Sequence, residues 1–271
     1  MKYLLILIVF LTSCKTFVSV NRLPDDSIRI CFWNVKNLSE GGLKRKTKGA
    51  YILDFAKKCD IIAFMEIRSA NINMAEEISK EFENIGEEYT CIEGNPKGKV
   101  DTKRKEKYLA CANIKVTELD KSEFLDEEKD FVRAPTYFLF RFKEMKFLLA
   151  PFHSTPGDSE ELTKFQKVID FAYQKYSDRR AFFGGDFNTG TNYQTENFVG
   201  NLNYFKILKQ LIEEPTTFAN QKHDLIFTDR ATAIKCKGKV WRLDKLFTDL
   251  EERKDFEKIS DHFPVSIDCK F

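Results

Sequence analysis

A series of short apolar runs in this chain share one oddity: each meets, at or near one end, a polar side chain of the kind that performs chemistry. IRICFWNV (28–35) carries Asn34, and DIIAFMEI (60–67) carries Glu66 with Arg68 just beyond. FLLAPFH (147–153) ends at His153, and AFFGGDFN (181–188) ends on Asp186 and Asn188. HDLIF (223–227) opens on His223 and Asp224, and the last apolar run follows Ser260-Asp261-His262. One polar strand end is ordinary, since water satisfies it; six together point to a site built where strands end. Residues i and i+2 of an extended chain face the same side, so Asp186 and Asn188 are expected to reach one point.

The runs are rich in β-branched and aromatic residues and read as strands at 28–35, 60–65, 88–92, 108–115, 136–142, 146–152, 181–186, 223–228 and 264–271. Helical spacing marks 46–58, 71–82, 159–176 and a segment around 205–212. In the third of these, Asp158 stands at the N-cap with Glu161 three residues on. Strands and helices alternate in part, but hairpins interrupt them. The expected fold class is therefore α/β with mixed sheets rather than a doubly wound parallel sheet. No repeat, low-complexity segment or linker divides the chain after its start.

That start is read apart from the fold. Met1-Lys2, the apolar run 3–11 and Thr12-Ser13-Cys14 form a basic, an apolar and a small-residue region, as in a secretory signal. The run is too short to span a bilayer, which takes about 20 residues. Cys14 directly after Leu-Thr-Ser resembles a bacterial lipobox, in which cleavage leaves a lipid-modified cysteine as the new N-terminus. The expected organisation is a signal peptide at 1–13, a lipidated tether at 14–27 and one domain at 28–271. The protein is then exported and held to the cell envelope through Cys14. A hydrophobic content of 42%, with 26 phenylalanines, excludes a disordered chain. A net charge of +2 neither requires nor excludes a polyanionic partner. The basic run Lys97, Lys99, Lys103, Arg104, Lys105 and Lys107 is read first as a solvated loop. Six further cysteines, none at CxxC spacing, argue against structural zinc. Cys31 with Cys269 and Cys91 with Cys111 could pair, and buried free thiols are the alternative.

The three histidines are His153, His223 and His262. Imidazoles beside carboxylates have their tautomer fixed and their basicity raised, which suits acid–base work near neutral pH. Glu66 and Asp261, with the amide of Asn34, form a hard oxygen set of the kind Mg²⁺ prefers. No nucleophile elbow or phosphate-binding glycine loop competes with them. What is left is attack of water on a phosphate ester, assisted by a metal.

The ordered set WNVKNL, DIIAFMEIR, KEKYLACA, FVRAP, FHSTP, GGDFN, HDLIF and ISDHFPV resembles the endonuclease/exonuclease/phosphatase superfamily, most closely its deoxyribonuclease I branch, from about residue 28 to the C-terminus. The resemblance implies a four-layer sandwich of two central mixed β-sheets, with helices on both outer faces. It implies Glu66 as principal ligand of Mg²⁺ (or Mn²⁺ or Ca²⁺), with Asn34 and Asp261 close by. His153 and His262 would be the acid–base pair, oriented by Glu106 and Asp224. Asp186 and Asn188 would hold the attacking water, or a second metal, and a phosphate oxygen. Arg133 and Arg68 would contact DNA. Arg104 stands where the family has a groove-stacking tyrosine, and His223 where it often has tyrosine; His223 is read as structural. The implied activity is hydrolysis of DNA by a monomer, leaving 5′-phosphate and 3′-hydroxyl ends. The alternatives are a sphingomyelinase-type lipid phosphodiesterase, a phosphoinositide phosphatase, or a catalytically inactive surface binding protein.

Overall fold

The computed structural model describes residues 23–69, 72–98, 105–190 and 208–271. The signal segment, Cys14 and Arg104 lie outside the described residues. In chain order the elements begin with β1 (Ser27–Leu38), α1 (Glu40–Leu43), α2 (Gly49–Ala56), β2 (Ile61–Ile67), α3 (Met74–Asn84), β3 (Tyr89–Glu93) and β4 (Lys107–Asn113). They continue with β5 (Val116–Glu123), β6 (Thr136–Phe142), β7 (Met145–His153), α4 (Ser159–Lys175), β8 (Arg180–Asp186) and β9 (Leu208–Gln210). The last are β10 (Asp224–Asp229), α5 (Arg230–Ala233), β11 (Cys236–Val240), α6 (Leu243–Leu246), α7 (Arg253–Ile259) and β12 (Val265–Lys270).

The strands form two six-stranded sheets, ordered β11-β12-β1-β2-β4-β3 and β5-β6-β7-β8-β10-β9. Each is mixed: β1 runs parallel to β2 and β7 parallel to β8, while the other pairings are antiparallel. β1 is buried along nearly its whole length because both of its faces are covered. Its odd-numbered side sends Trp33 edge-on against Phe55 of α2, at 5.3 Å between ring centroids. Its even-numbered side sends Phe32 toward β8, where a Cβ on Gly184 would lie 2.7 Å from the Phe32 ring. The next glycine, Gly185, has φ +129, and a Cβ there would lie 2.4 Å from the Phe152 carbonyl and 2.5 Å from the sulfur of Met65 on β2. The glycine pair therefore lets the two sheets close on each other just before Asp186. On the far side of the second sheet, Phe165, Val168 and Ile169 of α4 pack into a core with Ala150, Phe183 and Phe227. The expected sandwich, with helices flanking two mixed sheets, is what forms.

Two expectations are corrected. The segment around 205–212 is not helical where described: Leu208–Gln210 is a strand paired with β10, so tertiary pairing overrides the apolar spacing. Cys31 and Cys269 do not bond to each other. The register sets Cys269 opposite Ile28 and Cys31 opposite Ser266, which leaves the two cysteines out of step. Instead Cys31 bonds Cys59 and Cys236 bonds Cys269, while Cys91 bonds Cys111 as one of the two expected pairings has it. β5 and β11 form where no strand was expected, because TELDKSE and CKGKV are polar and half exposed.

Candidate active site

Pleating and register place three strand ends in one row. His153 is the parallel partner of Asp186, and Asp186 the antiparallel partner of Asp224. Cross-strand partners share a face, so these three side chains face the first sheet together. From that sheet Asn34 faces back, on the same side of β1 as Phe32. Its amide nitrogen donates to Asp186 Oδ2 and to Glu66 Oε1, at 3.0 Å each. The site thus lies between the two sheets at their shared end.

Glu66 reaches this place through an irregularity. Asn34 and Met65 are register partners on one face, so strict alternation would send Glu66 to the other. The β2 ladder breaks between Phe64 and Ile67, and Glu66 takes φ +59, which turns its carboxylate inward. Lys36 and Asn37 are also left-handed, with φ of +46 and +57, and the Asn37 N–H donates to Glu66 Oε2 at 3.0 Å. Backbone strain of this kind gathers where the surrounding structure enforces it.

Both histidines are held by buried carboxylates. His153 Nδ1 lies 3.0 Å from Glu106 Oε1, and His262 Nδ1 lies 2.8 Å from Asp224 Oδ2. Their outer nitrogens converge on one oxygen: Nε2 of His153 is 3.6 Å and Nε2 of His262 is 3.4 Å from Asp186 Oδ2. Glu66 Oε1 lies 3.9 Å from His153 Nε2. Burial disfavours the His262 cation, but the charges of Asp186 and Asp224 and the Asp224 hydrogen bond overcome it, raising its pKa to about 10. Burial likewise raises the Asp186 carboxyl, yet the charges of His262, His153 and His223 and the Asn34 hydrogen bond hold it below the ordinary aspartate value. Glu106 also lies below its ordinary value, because its hydrogen bond to His153 and the charges of His153, Arg133 and Arg68 outweigh burial.

The other expected residues sit as follows. Asn188 leaves the strand with φ +46; its backbone N–H donates to Asp186 Oδ1 and its side-chain amide to Ser154 O, both at 3.0 Å. The two residues are neighbours through a turn, not through strand alternation. Asp261 is half exposed and lies 3.4 Å from the Lys36 ammonium. Arg133 is turned inward: its guanidinium donates to the carbonyls of His153 and Ser154 and pairs with Glu106 at 2.7 Å. Arg68 is half buried and close enough for its charge to act on Glu106. His223 Nδ1 lies 2.6 Å from the Thr189 carbonyl. In the basic run, Lys97 pairs with Glu123 and Lys107 with Glu93.

Supporting residues went unnoticed in the sequence. The Ser260 hydroxyl donates to the Asn34 carbonyl and accepts from the His262 N–H, tying together two of the first sheet's contributions. The Thr216 hydroxyl accepts from the N–H of Asp224, and the Tyr108 hydroxyl from that of His153. Ser260 and Tyr108 stand inside ISDHFPV and KEKYLACA, so their closeness to functional residues was the available signal. Thr216 offered none.

The donor set fits a hard divalent cation. Glu66 accepts from two neutral N–H groups, and among the described residues no lysine or arginine lies in ion-pair range of it. Its side chain, only 14% exposed, therefore has His153 Nε2 at 3.9 Å but no lysine or arginine partner among the described residues. Glu66, Glu106 and His153 each offer a donor atom within 4.8 Å of one another, as do Asp186, Asp224 and His262. Glu106 Oε2 and Asp224 Oδ1 are buried without a hydrogen-bond partner.

The family model described as "Endonuclease/Exonuclease/phosphatase family" matches residues 31–262. Human deoxyribonuclease gamma is 26% identical over 179 residues, which span 62% of this chain and 58% of that protein. The chain thus covers less than two thirds of that relative's length. Chicken deoxyribonuclease-1 is 22% identical over 266 residues, covering 90% of this chain and 93% of its own. Among solved structures, humanized D. rerio TDP2 superposes with a TM-score of 0.65 at 17% identity, covering 91% of this chain and all of that one. A Bacteroides vulgatus protein described as an endonuclease/exonuclease/phosphatase gives 0.64 at 15%, with coverages of 90% and 99%. Those two similarities are of fold.

Proposed function

The chain belongs to the endonuclease/exonuclease/phosphatase family, and from that premise we propose that it is a Mg²⁺-dependent deoxyribonuclease that hydrolyses DNA phosphodiester bonds. The family supplies the coarser statement, a hydrolase of phosphodiesters that uses a divalent metal. The observation that carries the finer one is the convergence of both histidine Nε2 atoms on Asp186, with the Glu66 carboxylate beside them.

Each imidazole is fixed by a carboxylate at Nδ1, so each presents Nε2 to the gap between the sheets. One Nε2 accepts a proton from the attacking water and the other donates one to the leaving oxygen. Asp186 sits between them and orients the water; Asn34 holds Asp186 and Glu66 at a fixed separation. Asn188, anchored to the Ser154 carbonyl, keeps its amide oxygen and the adjoining turn beside the phosphate. Glu66 would hold the metal, with Asp261 at the exposed side and Asn34 steadying the carboxylate. When bound, the ion neutralises charge on the phosphoryl oxygens. Arg133 acts through Glu106, fixing His153, while Arg68 reaches the DNA minor groove and Arg104 stacks on the strand or pairs with its phosphate.

The test is nicking of supercoiled plasmid by the chain from residue 15 onward, in Mg²⁺ with and without EDTA. Sphingomyelin vesicles and phosphoinositides run in parallel. Metal-dependent nicking is expected. His153→Ala and His262→Ala should each lose about 10²–10⁴-fold in rate. Wild-type turnover in either variant sinks the assignment, and lipid head-group release with intact plasmid moves the function to membrane phosphodiesters.

We further propose that the protein is exported and anchored through Cys14. The pairing of Cys31, Cys59, Cys91, Cys111, Cys236 and Cys269 into three disulfides supports this, since such bonds persist in oxidising compartments. Cys14→Ser should move the protein from the membrane fraction to the soluble one; unchanged fractionation rules the anchor out.

A further inference from the structure

The connection between α1 and α2 reads Lys44-Arg45-Lys46-Thr47-Lys48 and played no part in the expected site. It follows β1 after the single turn of α1 and is folded back toward β1. Gly49 makes the return, since a Cβ there would lie 1.6 Å from the Leu43 carbonyl oxygen. The Lys48 ammonium then donates to the Lys36 carbonyl at 2.6 Å. Lys36 in turn donates its N–H to Asn34 Oδ1 at 3.0 Å, and the neighbouring Asn37 N–H holds Glu66. The connection is thus tied by a short chain of hydrogen bonds to the proposed metal-ligating residues.

Its charges are unevenly compensated. The Lys44 ammonium meets Glu40 and lies 3.5 Å from Glu77. Arg45 and Lys46 are exposed, and neither they nor Lys48 has a carboxylate in ion-pair range among the described residues. Lys48 is half buried: burial and the charge of Lys36 push its pKa down to about 8, against the pull of Glu66 and Asp261, with Arg45 pushing further down. Both acids and both neighbouring cations thus act on it. Three unpaired cations beside an acidic set suit a ligand with negative charge on both sides of the group being cut. A single zwitterionic head group carries only the phosphate being cut and leaves no flanking anion for such a surface.

We propose that Arg45, Lys46 and Lys48 form an accessory arm that binds phosphates of a nucleic-acid strand outside the scissile bond. This rests on the nuclease reading above. Each phosphate neutralised releases condensed counterions, so the arm predicts a salt dependence that its removal shortens. Arg45 and Lys46 point into solvent, so their substitution leaves the packing intact.

The experiment is fluorescence anisotropy of a labelled DNA duplex with the chain from residue 15 onward, in EDTA to prevent cleavage, over a series of salt concentrations. Arg45→Gln/Lys46→Gln should flatten the slope of log Kd against log salt by about 1–2, one phosphate contributing about 0.9. It should also weaken binding severalfold at low salt. Lys143→Gln, at the β6–β7 turn away from His153, serves as the control and keeps the wild-type slope. A double variant with the control's slope overturns the arm while the nuclease reading stands. Wild type with no salt-dependent affinity, and no plasmid nicking, overturns both. Variants that keep DNA affinity but lose binding to phosphatidylglycerol vesicles would reassign the arm to a membrane surface.

Discussion

His262 shows how much one side chain's state depends on its neighbours. With Asp186 and Asp224 against its two nitrogens, it holds its proton up to about pH 10 in the absence of metal, against an ordinary value of 6.5. The unfolded chain releases that proton near 6.5. The stabilisation is therefore complete below pH 6.5 and is lost as pH rises through about 10. Asp186 has the opposite sign: its lowered carboxyl stabilises above the ordinary aspartate range and loses that contribution as pH falls. In metal-free protein, nitrogen-correlated NMR should show His262 as imidazolium at neutral pH, and His262→Asn should flatten the decline of Tm between pH 6.5 and about 10. A neutral imidazole pattern at pH 7 contradicts this. The types of Glu66, His153, Asp186, Asp224 and His262 were all legible in the sequence. Their aim was less so. Asp186 and Asn188 suggest a shared direction, but the left-handed backbone at Asn188 makes them neighbours for another reason.

The elements were mostly legible because apolar periodicity survives when one face is covered. α4 begins at Ser159, as the Asp158 cap predicts, with the Glu161 N–H donating to Asp158 Oδ1 at 2.9 Å. The Glu161 side chain does something else: it accepts from the N–H groups of Val132 and Thr155, joining the segments that carry Arg133 and His153. Sequence could not show this, since both partners are distant backbone groups. Glu161→Gln keeps the shape but exchanges one acceptor oxygen for an amide that must face an N–H. Its expected cost is about 1–3 kcal/mol in thermal or urea unfolding, and unchanged stability would remove Glu161 from this role. β5, β9 and β11 were missed or misread because short edge strands with polar faces carry little pattern. At the inner face, Gly185 is the most constrained position of β8. Gly185→Ala meets both the Phe152 carbonyl and an unfavourable φ, so a loss of about 1–3 kcal/mol is expected together with reduced turnover.

Across the whole molecule, the cross-links are distributed on one side only. Cys91–Cys111 joins β3 to β4 and Cys236–Cys269 joins β11 to β12, so both edge strands of the first sheet are bonded to their neighbours. Cys31–Cys59 ties β1 to the approach to β2. Composition revealed the even number of cysteines but not their partners, because pairing depends on register, which no spacing rule supplies. In a chain-entropy account, loops of 20 and 33 residues make the two edge bonds worth roughly 3–4 kcal/mol each. Cys91→Ser/Cys111→Ser should lower Tm measurably. A full titre of free thiols in the unreduced, denatured protein would show that the bonds do not form.

The site spans both sheets, with Asn34, Glu66 and His262 on one side of the seam and His153, Asp186 and Asp224 on the other. Only one bank of that seam is covalently braced. On heating, the unbraced bank is expected to part first, separating the two histidines while the braced sheet keeps its alignment. Catalysis should then vanish before the bulk of the fold does, and return on cooling, as long as the sulfurs stay oxidised.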